Sequence, residues 1–526
     1  MPKRGDWPAS PIIYEIYPRS FYDANGDGEG DLLGITAKLD YVAVLGVDAI
    51  WLAPFYLSPM HDGGYDVQDH TVVNPRYGTE ADFDALVARA HDLGLKVMVD
   101  QVFNHTSHRH AWFANSVQKR GDYADWYVWR DPKPDGSLPN NWLSQFGPPA
   151  WTWNHQREQY YFHQFLDCQP NLNLRHPPVL EALEKVTKHW LDRGVDGFRY
   201  DAVTSYLWDD GFADNPVADP ETRRKISGPR YNPYSMQSHD NDMLPGDGLP
   251  FTANLRTWAG EDAWLMGEIT SGNKSVELVN GLTRPDRLDC AYTTDLPEEG
   301  MEPANIQRVV DGLETPHTFL WWLSCHDQPR PATAHGDGSA RDARFLMTAL
   351  AFMPGPWLIY QGEELGLPQP FLDYEENDDP FDRLYWPDVP GRQGPRVPIP
   401  WGEGYIGFGF TAAKPWLTMR WDGCMSVLAQ EADGDSVLAH ARRLTRFRKK
   451  SGIGEAVIQS IEAAGDVLAT QLSRGNETWI VQMNFAERGE AALPGHLSGE
   501  VPAFASGAVS PGALPARTAA IWKREG

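Results

Sequence analysis

The chain has 526 residues, of which 41% are hydrophobic and 22% charged, a composition typical of globular proteins with a large core. Its length predicts about two to four domains. The formal net charge of −26 disfavours nucleic acid and anionic membrane surfaces as partners and favours an uncharged ligand.

The cysteines and the N-terminal region carry no signal for export. Four cysteines are scattered without the spacing of a zinc site or a disulfide framework. No apolar run follows the first basic residues, and no stretch is long enough to span a bilayer. We therefore expect a cytoplasmic protein without a membrane-spanning segment.

Apolar runs that suit buried strands alternate with helical segments along the chain. The strands are predicted at Ile12–Tyr17, Val47–Pro54, Lys96–Phe103, Val195–Val203, Ala263–Glu268, Cys290–Tyr292, Phe319–Ser324 and Trp357–Tyr360. Helices such as Asp82–Leu93 and Leu180–Leu191 lie between them. This alternation predicts parallel strands closed into a (β/α)8 TIM barrel. The alternative is an open doubly wound sheet, but no glycine-rich phosphate-binding turn follows the first strand, and no organic cofactor is expected.

Two connections that leave the carboxyl ends of strands are too long for simple crossovers. Residues 105–174 follow the third strand and predict an inserted lid domain. Residues from about 365 to 421 follow the eighth strand and predict a second subdomain. The barrel would then comprise residues 1–104 and 175–450. Short alternating runs broken by Gly, Pro and Asn predict a C-terminal antiparallel β domain over residues 451–526.

Polar residues occur where four of the predicted strands end, and such ends meet at one mouth of a barrel. Three of them are carboxylates: Asp201, Glu268 and Asp327. This set suits cleavage of a bond through a cationic transition state, with one group attacking, one protonating the leaving oxygen and one anchoring ring hydroxyls. Arg199 would hold Asp201 ionised, while an apolar setting would raise the pKa of Glu268. Taken alone, the Arg199–Asp201 pair is more typical of a structural bridge than of a catalytic site.

The segments Asp100–His105, Gly197–Asp201, Met266–Glu268 and His326–Asp327 resemble the four signature regions of the α-amylase superfamily of glycoside hydrolases. The motifs at residues 169–173, 360–364 and 396–401 are similar to those of its α-glucosidase and oligo-1,6-glucosidase branch. The resemblance covers nearly the whole chain.

The resemblance implies a role for each matching residue. Asp201 matches the nucleophile that forms a covalent glucosyl-enzyme, Glu268 the general acid/base and Asp327 the transition-state stabiliser. The residues that match the glucose-binding subsite are Asp62, Tyr65, His105, Arg199, His326 and Arg392. Tyr65 would stack on the sugar ring, and an Asp62–Arg392 pair would close one end of the subsite. Double displacement also requires the carboxyl groups of Asp201 and Glu268 to lie about 5 Å apart across one hollow.

The implied activity is that of an exo-acting retaining α-glucosidase. Its substrates would be short α-glucosides such as maltose and malto-oligosaccharides, with sucrose as a further candidate. A transglucosidase, a sucrose hydrolase and a trehalose-phosphate hydrolase are alternatives within the branch. A catalytically silent structural homologue is the alternative from another class, but all three carboxylates are present. In the resembling enzymes a small residue after the nucleophile accompanies α-1,4 cleavage, so Ala202 predicts that maltose is preferred over isomaltose.

Two residues depart from the pattern of the branch. Cys325 stands where Asn commonly precedes His-Asp, and a thiol is a poorer hydrogen-bonding group than an amide. The orientation of Asp327 by its neighbour is therefore in question. Asn171 replaces the Asp of the usual Gln-Pro-Asp-Leu-Asn motif and removes a charge from the rim of the inserted domain.

The acidic, glycine-rich segment over residues 23–31 is a candidate metal site. Oxygen ligands alternate as in the first part of an EF-hand loop, at Asp23, Asn25, Asp27, Glu29 and Asp31. No helix precedes the segment and no distal glutamate follows it. The resembling branch often binds a cation here, which implies a structural Ca²⁺ or Mg²⁺ in the loop after the first strand.

Overall fold

The computed structural model describes residues 3–225, 232–270, 274–387, 391–404 and 407–525. Its centre is a parallel sheet of seven strands. In spatial order these are Cys290–Thr293, Trp264–Ile269, Gly197–Tyr200, Lys96–Gln101, Ala49–Leu52, Ile12–Ile16 and Trp357–Tyr360. The predicted seventh strand forms only single parallel bridges, from Phe319 to Ala291 and from Trp321 to Trp357. These bridges join the two edge strands, so the predicted barrel is confirmed.

The barrel strands are apolar because both of their faces are covered. One face packs against the surrounding helices, and the other fills the barrel interior with large side chains such as Trp51, Met98, Met266 and Trp322. The interior is therefore a packed core and not a pore. The polar side chains considered below lie toward the carboxyl ends of the strands.

Helices surround this sheet, and several begin at side-chain caps. Thr79 and Asp82 form a capping box, so the helix predicted from residue 82 begins at residue 80. Ser436 caps the long helix that precedes the C-terminal domain. The helices are Leu32–Leu45, Glu80–Asp92, Ala111–Val117, Pro177–Leu191, Pro220–Lys225, Pro245–Ala259, Ser275–Leu282, Asp295–Glu299, Pro303–Gly312, Pro331–Ala334, Ala340–Ala351, Pro380–Tyr385, Val427–Glu431 and Val437–Ser451. In the part of the chain that is described, none of them is long and apolar enough to cross a membrane.

The segment predicted as an inserted domain contains a small antiparallel sheet. Its strands are Trp129–Arg130, Gln159–Phe162 and Trp151–Asn154. Phe212, from the long loop after the fourth barrel strand, stacks on Trp142 with ring centroids 5.4 Å apart. The inserted sheet and this loop therefore share an aromatic core. The bounds of residues 105–174 remain a prediction.

The chain after the barrel forms the predicted antiparallel β domain, which is confirmed. Its main sheet has the order Val457–Ala464, Val467–Arg474, Glu477–Asn484, Thr518–Glu525 and Phe504–Ala505. Glu490–Ala492 pairs with Ala513–Pro515, and Tyr56–Leu57 pairs with Asp69–Val73 nearer the start of the chain. Of the predicted 365–421 subdomain, positions 388–390 and 405–406 lie outside the described residues.

Candidate active site

Two carboxylates from neighbouring barrel strands meet at one guanidinium group. Arg199 is only 1% exposed; its Nη1 donates to Asp201 Oδ1 at 2.7 Å, and its Nη2 lies 2.8 Å from Glu268 Oε2. The backbone N–H of Ala202 also donates to Glu268 Oε2 at 3.1 Å. The two groups predicted to attack and to donate a proton therefore face the same small space. A purely structural Arg–Asp bridge would not require this second carboxylate.

Arg199 is itself held from behind by buried groups. Its Nη1 donates to Asp100 Oδ1 at 2.9 Å, and its Nε donates to the hydroxyl of Tyr292 at 2.9 Å. Asp100 completes the arrangement by accepting from the hydroxyl of Tyr65 at 2.9 Å. The guanidinium group is thus fixed as the support of the two carboxylates.

The environment sets Asp201 and Glu268 to different proton affinities. Burial raises the pKa of Asp201 to about 6, although Arg199 opposes this shift as the sequence suggested. Burial raises the pKa of Glu268 to about 7, as expected for a proton donor. Near neutral pH, Asp201 is therefore mostly ionised while Glu268 retains a substantial protonated fraction. This combination suits a nucleophile and an acid acting together.

Asp327 lies among cations. Its Oδ1 is paired with Arg396 and lies 3.5 Å from Arg392 Nη1, and its Oδ2 lies 3.1 Å from His326 Nε2. Burial alone would raise the pKa of Asp327, but these three cationic side chains hold it well below its usual range. Cys325 replaces the expected Asn, and its Sγ accepts the backbone N–H of Asp327 at 3.3 Å. The thiol therefore supplies an acceptor at this position, though a weaker one.

The expected ion pair between Asp62 and Arg392 is present beside Asp327. Arg392 Nη2 lies 2.7 Å from Asp62 Oδ1, and Gln169 donates to the other oxygen of Asp62 at 2.9 Å. Asp379 lies on the far side of this pair, 2.8 Å from Arg392 and 3.2 Å from Arg396. One buried carboxylate thus ties together the two arginines that reach Asp62 and Asp327.

The three aromatic residues predicted to bind sugar lie beside the carboxylates. The rings of Tyr65 and His326 stack on each other with ring centroids 5.1 Å apart. Tyr65 was predicted to stack on the sugar ring, and in the structure it stacks on an imidazole. His105 is 1% exposed, and burial lowers its pKa to about 4, which keeps it neutral. Its Nε2 lies 3.2 Å from the carbonyl oxygen of Tyr65. The predicted substrate-binding residues are therefore brought together at one mouth of the barrel.

Sequence reasoning assigned no role to several residues that the structure places in this network. They are Glu15, Asp100, Gln169, Tyr292, Asp379 and Arg396. Asp100, Gln169 and Arg396 lie inside the recognised motifs, so their positions were available from the sequence. Asp379 lies in a long connection without periodicity, and no local pattern marks it.

The acidic loop over residues 23–31 keeps most of its oxygen atoms near its own backbone. Asp23 accepts from the N–H groups of Gly26 and Gly28 at 2.6 and 2.8 Å, and Asp31 caps the helix that follows through Gly34. The Glu29 carboxylate is paired with Arg19 and Arg76. Among the described residues, three ligand atoms of His, Cys, Asp or Glu converge within 4.8 Å only at Glu15, Cys325 and His326. The predicted cation in the loop would thus need the carboxylate oxygens to move together, and Glu29 is the least available of them.

Three carboxylates that meet buried arginines at one mouth of a barrel suit the site of a glycoside hydrolase. The chain belongs to the α-amylase family, because the model of the alpha amylase catalytic domain matches residues 15–456. It is a glycoside hydrolase of that family, and this sets aside the catalytically silent alternative.

Two relatives and one solved structure show the branch. The chain is 43% identical over 498 residues to a probable alpha-glucosidase of Rhizobium meliloti (strain 1021), covering 92% of this chain and 90% of the relative. It is 33% identical over 523 residues to an oligo-1,6-glucosidase of Halalkalibacterium halodurans, covering 92% and 91%. The structure of an alpha-glucosyl transfer enzyme, XgtA, superposes with a TM-score of 0.91 at 39% identity, covering 97% and 98%. The predicted resemblance is confirmed.

Proposed function

We propose that the protein is an exo-acting, retaining α-glucosidase that releases glucose from the non-reducing end of short α-glucosides. The observation that carries this proposal is the pairing of Asp201 and Glu268 with one buried guanidinium group, beside a subsite closed by Asp62 and Arg392. A blind end admits a chain terminus and excludes a polymer that runs through the site. Retention follows from a carboxylate close enough to attack the sugar.

The reaction has two displacements at the anomeric carbon. Asp201 attacks this carbon while Glu268 gives its proton to the departing glycosidic oxygen, which leaves a glucosyl ester on Asp201. Glu268, now ionised, removes a proton from water, and the resulting oxygen displaces Asp201 and releases α-glucose. Asp327, kept ionised by its cations, accepts hydrogen bonds from ring hydroxyls.

The test is hydrolysis of maltose by the wild type, Asp201→Asn and Glu268→Gln. We expect each variant to lose at least about a thousandfold in kcat. Glu364→Gln is the matched control, because this buried carboxyl group accepts from Tyr14 and Tyr41 and does not reach the site. Proton NMR of the first product should show α-glucose. β-Glucose, or longer oligomers from starch, would contradict the proposal.

Transfer of glucose to an alcohol or a second sugar is the alternative outcome of the same glucosyl-enzyme. The likeness to an alpha-glucosyl transfer enzyme over nearly the whole chain favours testing it. Product analysis with maltose and sucrose, at low and high acceptor concentration, gives the ratio of transfer to hydrolysis. A transfer product that dominates at low acceptor concentration would replace hydrolysis as the main activity.

We further propose that maltose is cleaved faster than isomaltose. Ala202 follows the nucleophile, adopts a left-handed conformation with φ 45° and ψ 47°, and is buried. Its single methyl group leaves more room beside the scissile bond than a branched side chain would. A higher kcat/KM for isomaltose would contradict this preference.

We also propose a structural Ca²⁺ or Mg²⁺ in the loop over residues 23–31. Its support is the donor chemistry of Asp23, Asn25, Asp27 and Asp31, all hard oxygen ligands suited to such ions. We expect chelation to lower the melting temperature and added Ca²⁺ or Mg²⁺ to restore it, with Asp27→Asn weakening the response. An identical melting temperature with and without chelator would contradict the proposal.

A further inference from the structure

Glu15 is a buried acid with an unusual partner. It lies on the first barrel strand, opposite Tyr360 and Trp51 on the adjacent strands, and its side chain is fully buried. Its Oε1 lies 2.6 Å from Nδ1 of His326, while its Oε2 has no hydrogen-bond partner among the described residues. Burying a carboxyl group costs free energy unless the group is paired. The imidazole of His326 is the partner that Glu15 has through its Oε1.

The ring of His326 has little freedom to move. It lies between Tyr17 and Tyr65, with ring centroids 5.9 and 5.1 Å away and interplanar angles of 7° and 11°. The ring of Trp51 lies nearly perpendicular to that of His326, with an interplanar angle of 78° and ring centroids 6.2 Å apart. The stacking fixes the plane of the ring, and the contact with Glu15 fixes its rotation within that plane.

The opposite nitrogen of His326 points toward the reacting groups. Its Nε2 lies 3.1 Å from Asp327 Oδ2, within ion-pair distance, and it has no other partner among the described residues. The other oxygen of Asp327 is paired with Arg396. An N–H at Nε2 is therefore free to donate to a hydroxyl group that arrives beside Asp327.

We propose that Glu15 is a positioning residue for the reaction, holding His326 as a doubly protonated imidazolium whose Nε2–H donates to the sugar. A neutral imidazole could adopt the other tautomer and present a bare nitrogen to the hydroxyl. The buried anion prevents this by favouring the doubly protonated cation, because a neutral ring that donates its Nδ1–H to Glu15 would leave Nε2 bare. The inference rests on the proposed glucosidase function and assigns a role to a residue outside the three catalytic carboxylates.

Two opposing influences act on Glu15: burial raises the pKa of its carboxyl group, while the contact with His326 and the charge of Arg199 favour the anion. Burial lowers the pKa of His326, but Asp327 and Glu15 outweigh it and raise the pKa to about 9. The ionisable groups that face the Glu15–His326 pair are Tyr17, Tyr65, Asp100, Arg199, Cys325, Asp327, Tyr360 and Arg396. The positive charges of the arginines disfavour the imidazolium. The loss of one anion from this set should therefore lower the pKa of His326.

The experiment compares glucose as a competitive inhibitor in the wild type, Glu15→Gln and Glu364→Gln. Glutamine keeps the size of Glu15 and an acceptor for Nδ1–H but removes the charge. The inhibition constant for glucose reports donation to hydroxyls without requiring Glu268 to act as an acid. Glu364→Gln removes another buried carboxyl group of the barrel that does not touch His326.

We expect the inhibition constants of Glu15→Gln and the wild type to agree near about pH 5.5, where the imidazole is protonated in both. Near about pH 8 the glutamine variant should bind glucose about tenfold more weakly, because the charge-assisted donor is lost. Glu364→Gln should follow the wild type throughout. If Glu15→Gln changes the inhibition constant equally at both pH values, or changes it at neither, the positioning role is overturned. If the wild type does not bind glucose, the proposed function is overturned instead.

A second measurement covers the case in which Glu15→Gln does not fold. Histidine-selective ¹⁵N NMR of the wild type, with His326→Asn for assignment, reports the protonation of this ring directly. Two protonated nitrogens at about pH 8 support the inference. A neutral ring at that pH overturns it.

Discussion

Asp201 and Glu268 share one arginine and yet must perform opposite tasks in the first displacement. Asp201 attacks only when it is ionised, and burial raises its pKa to about 6. Glu268 donates only when it is protonated, and burial raises its pKa to about 7. Activity should therefore fall as pH drops below about 6 and also as pH rises above about 7, giving a narrow bell.

The measurement is kcat/KM for maltose between about pH 4 and about pH 9. Glu268→Gln with an activated aryl glucoside should lose the basic limb and keep the acidic one, because the residue that titrates near neutral pH is gone. A wild-type profile that stays flat up to about pH 9 would contradict the assignment of Glu268.

The residue after the nucleophile controls a backbone conformation as well as the space for the leaving group. Ala202 lies at φ 45°, where a β-branched side chain is strained, and its N–H contacts Glu268. Ala202→Val should lower the ratio of kcat/KM for maltose over isomaltose by about tenfold or more. Ala202→Gly, which accepts this φ, should keep the wild-type ratio within about threefold. A glycine variant as impaired as the valine variant would show that size is not the cause.

At the scale of elements, the helix Pro380–Tyr385 is coupled to the site through its N-cap residue, Asp379. Asp379 caps the helix by accepting from the N–H groups of Phe381 and Asp382, and it also pairs with Arg392 and Arg396. The cap needs only an oxygen, whereas the ion pairs need a charge. These two tasks can be separated by substitution.

Asp379→Asn should keep the cap and raise KM for maltose about tenfold. Without the charge of Asp379, both arginines pair more strongly with Asp62 and Asp327, and these carboxylates are then less available to the sugar. Asp379→Ala should raise KM similarly and in addition lower the melting temperature, since a lost cap costs about 1 kcal/mol. A KM for Asp379→Asn equal to that of the wild type would leave Asp379 with a capping role alone.

At the scale of the whole molecule, the sequence predicted the periodic parts best. Seven predicted barrel strands fall within three residues of the observed bounds, because an apolar run marks a buried strand directly. The remaining predicted strand, Phe319–Ser324, is the seventh in chain order and forms only single bridges, since the pairing of a strand depends on its neighbours and not on its own pattern. Asp201, Glu268 and Asp327 were predictable because they lie at or just beyond the carboxyl ends of predicted strands. Asp379 and Glu15 were not, because their partners are distant in the chain and only the fold brings them together.

The net charge of −26 gives a final test of the substrate class. A neutral sugar gains or loses nothing from the protein's long-range field, so kcat/KM for maltose should change by less than about twofold between about 20 mM and about 500 mM NaCl. An anionic substrate such as a phosphorylated disaccharide would be repelled at low salt, and its kcat/KM should rise as salt screens the protein. The two substrates measured side by side control for any effect of salt on the fold. A strong fall in kcat/KM with salt for the phosphorylated sugar would require a local basic site that attracts it, and would favour a phosphoglucosidase over the neutral specificity proposed above.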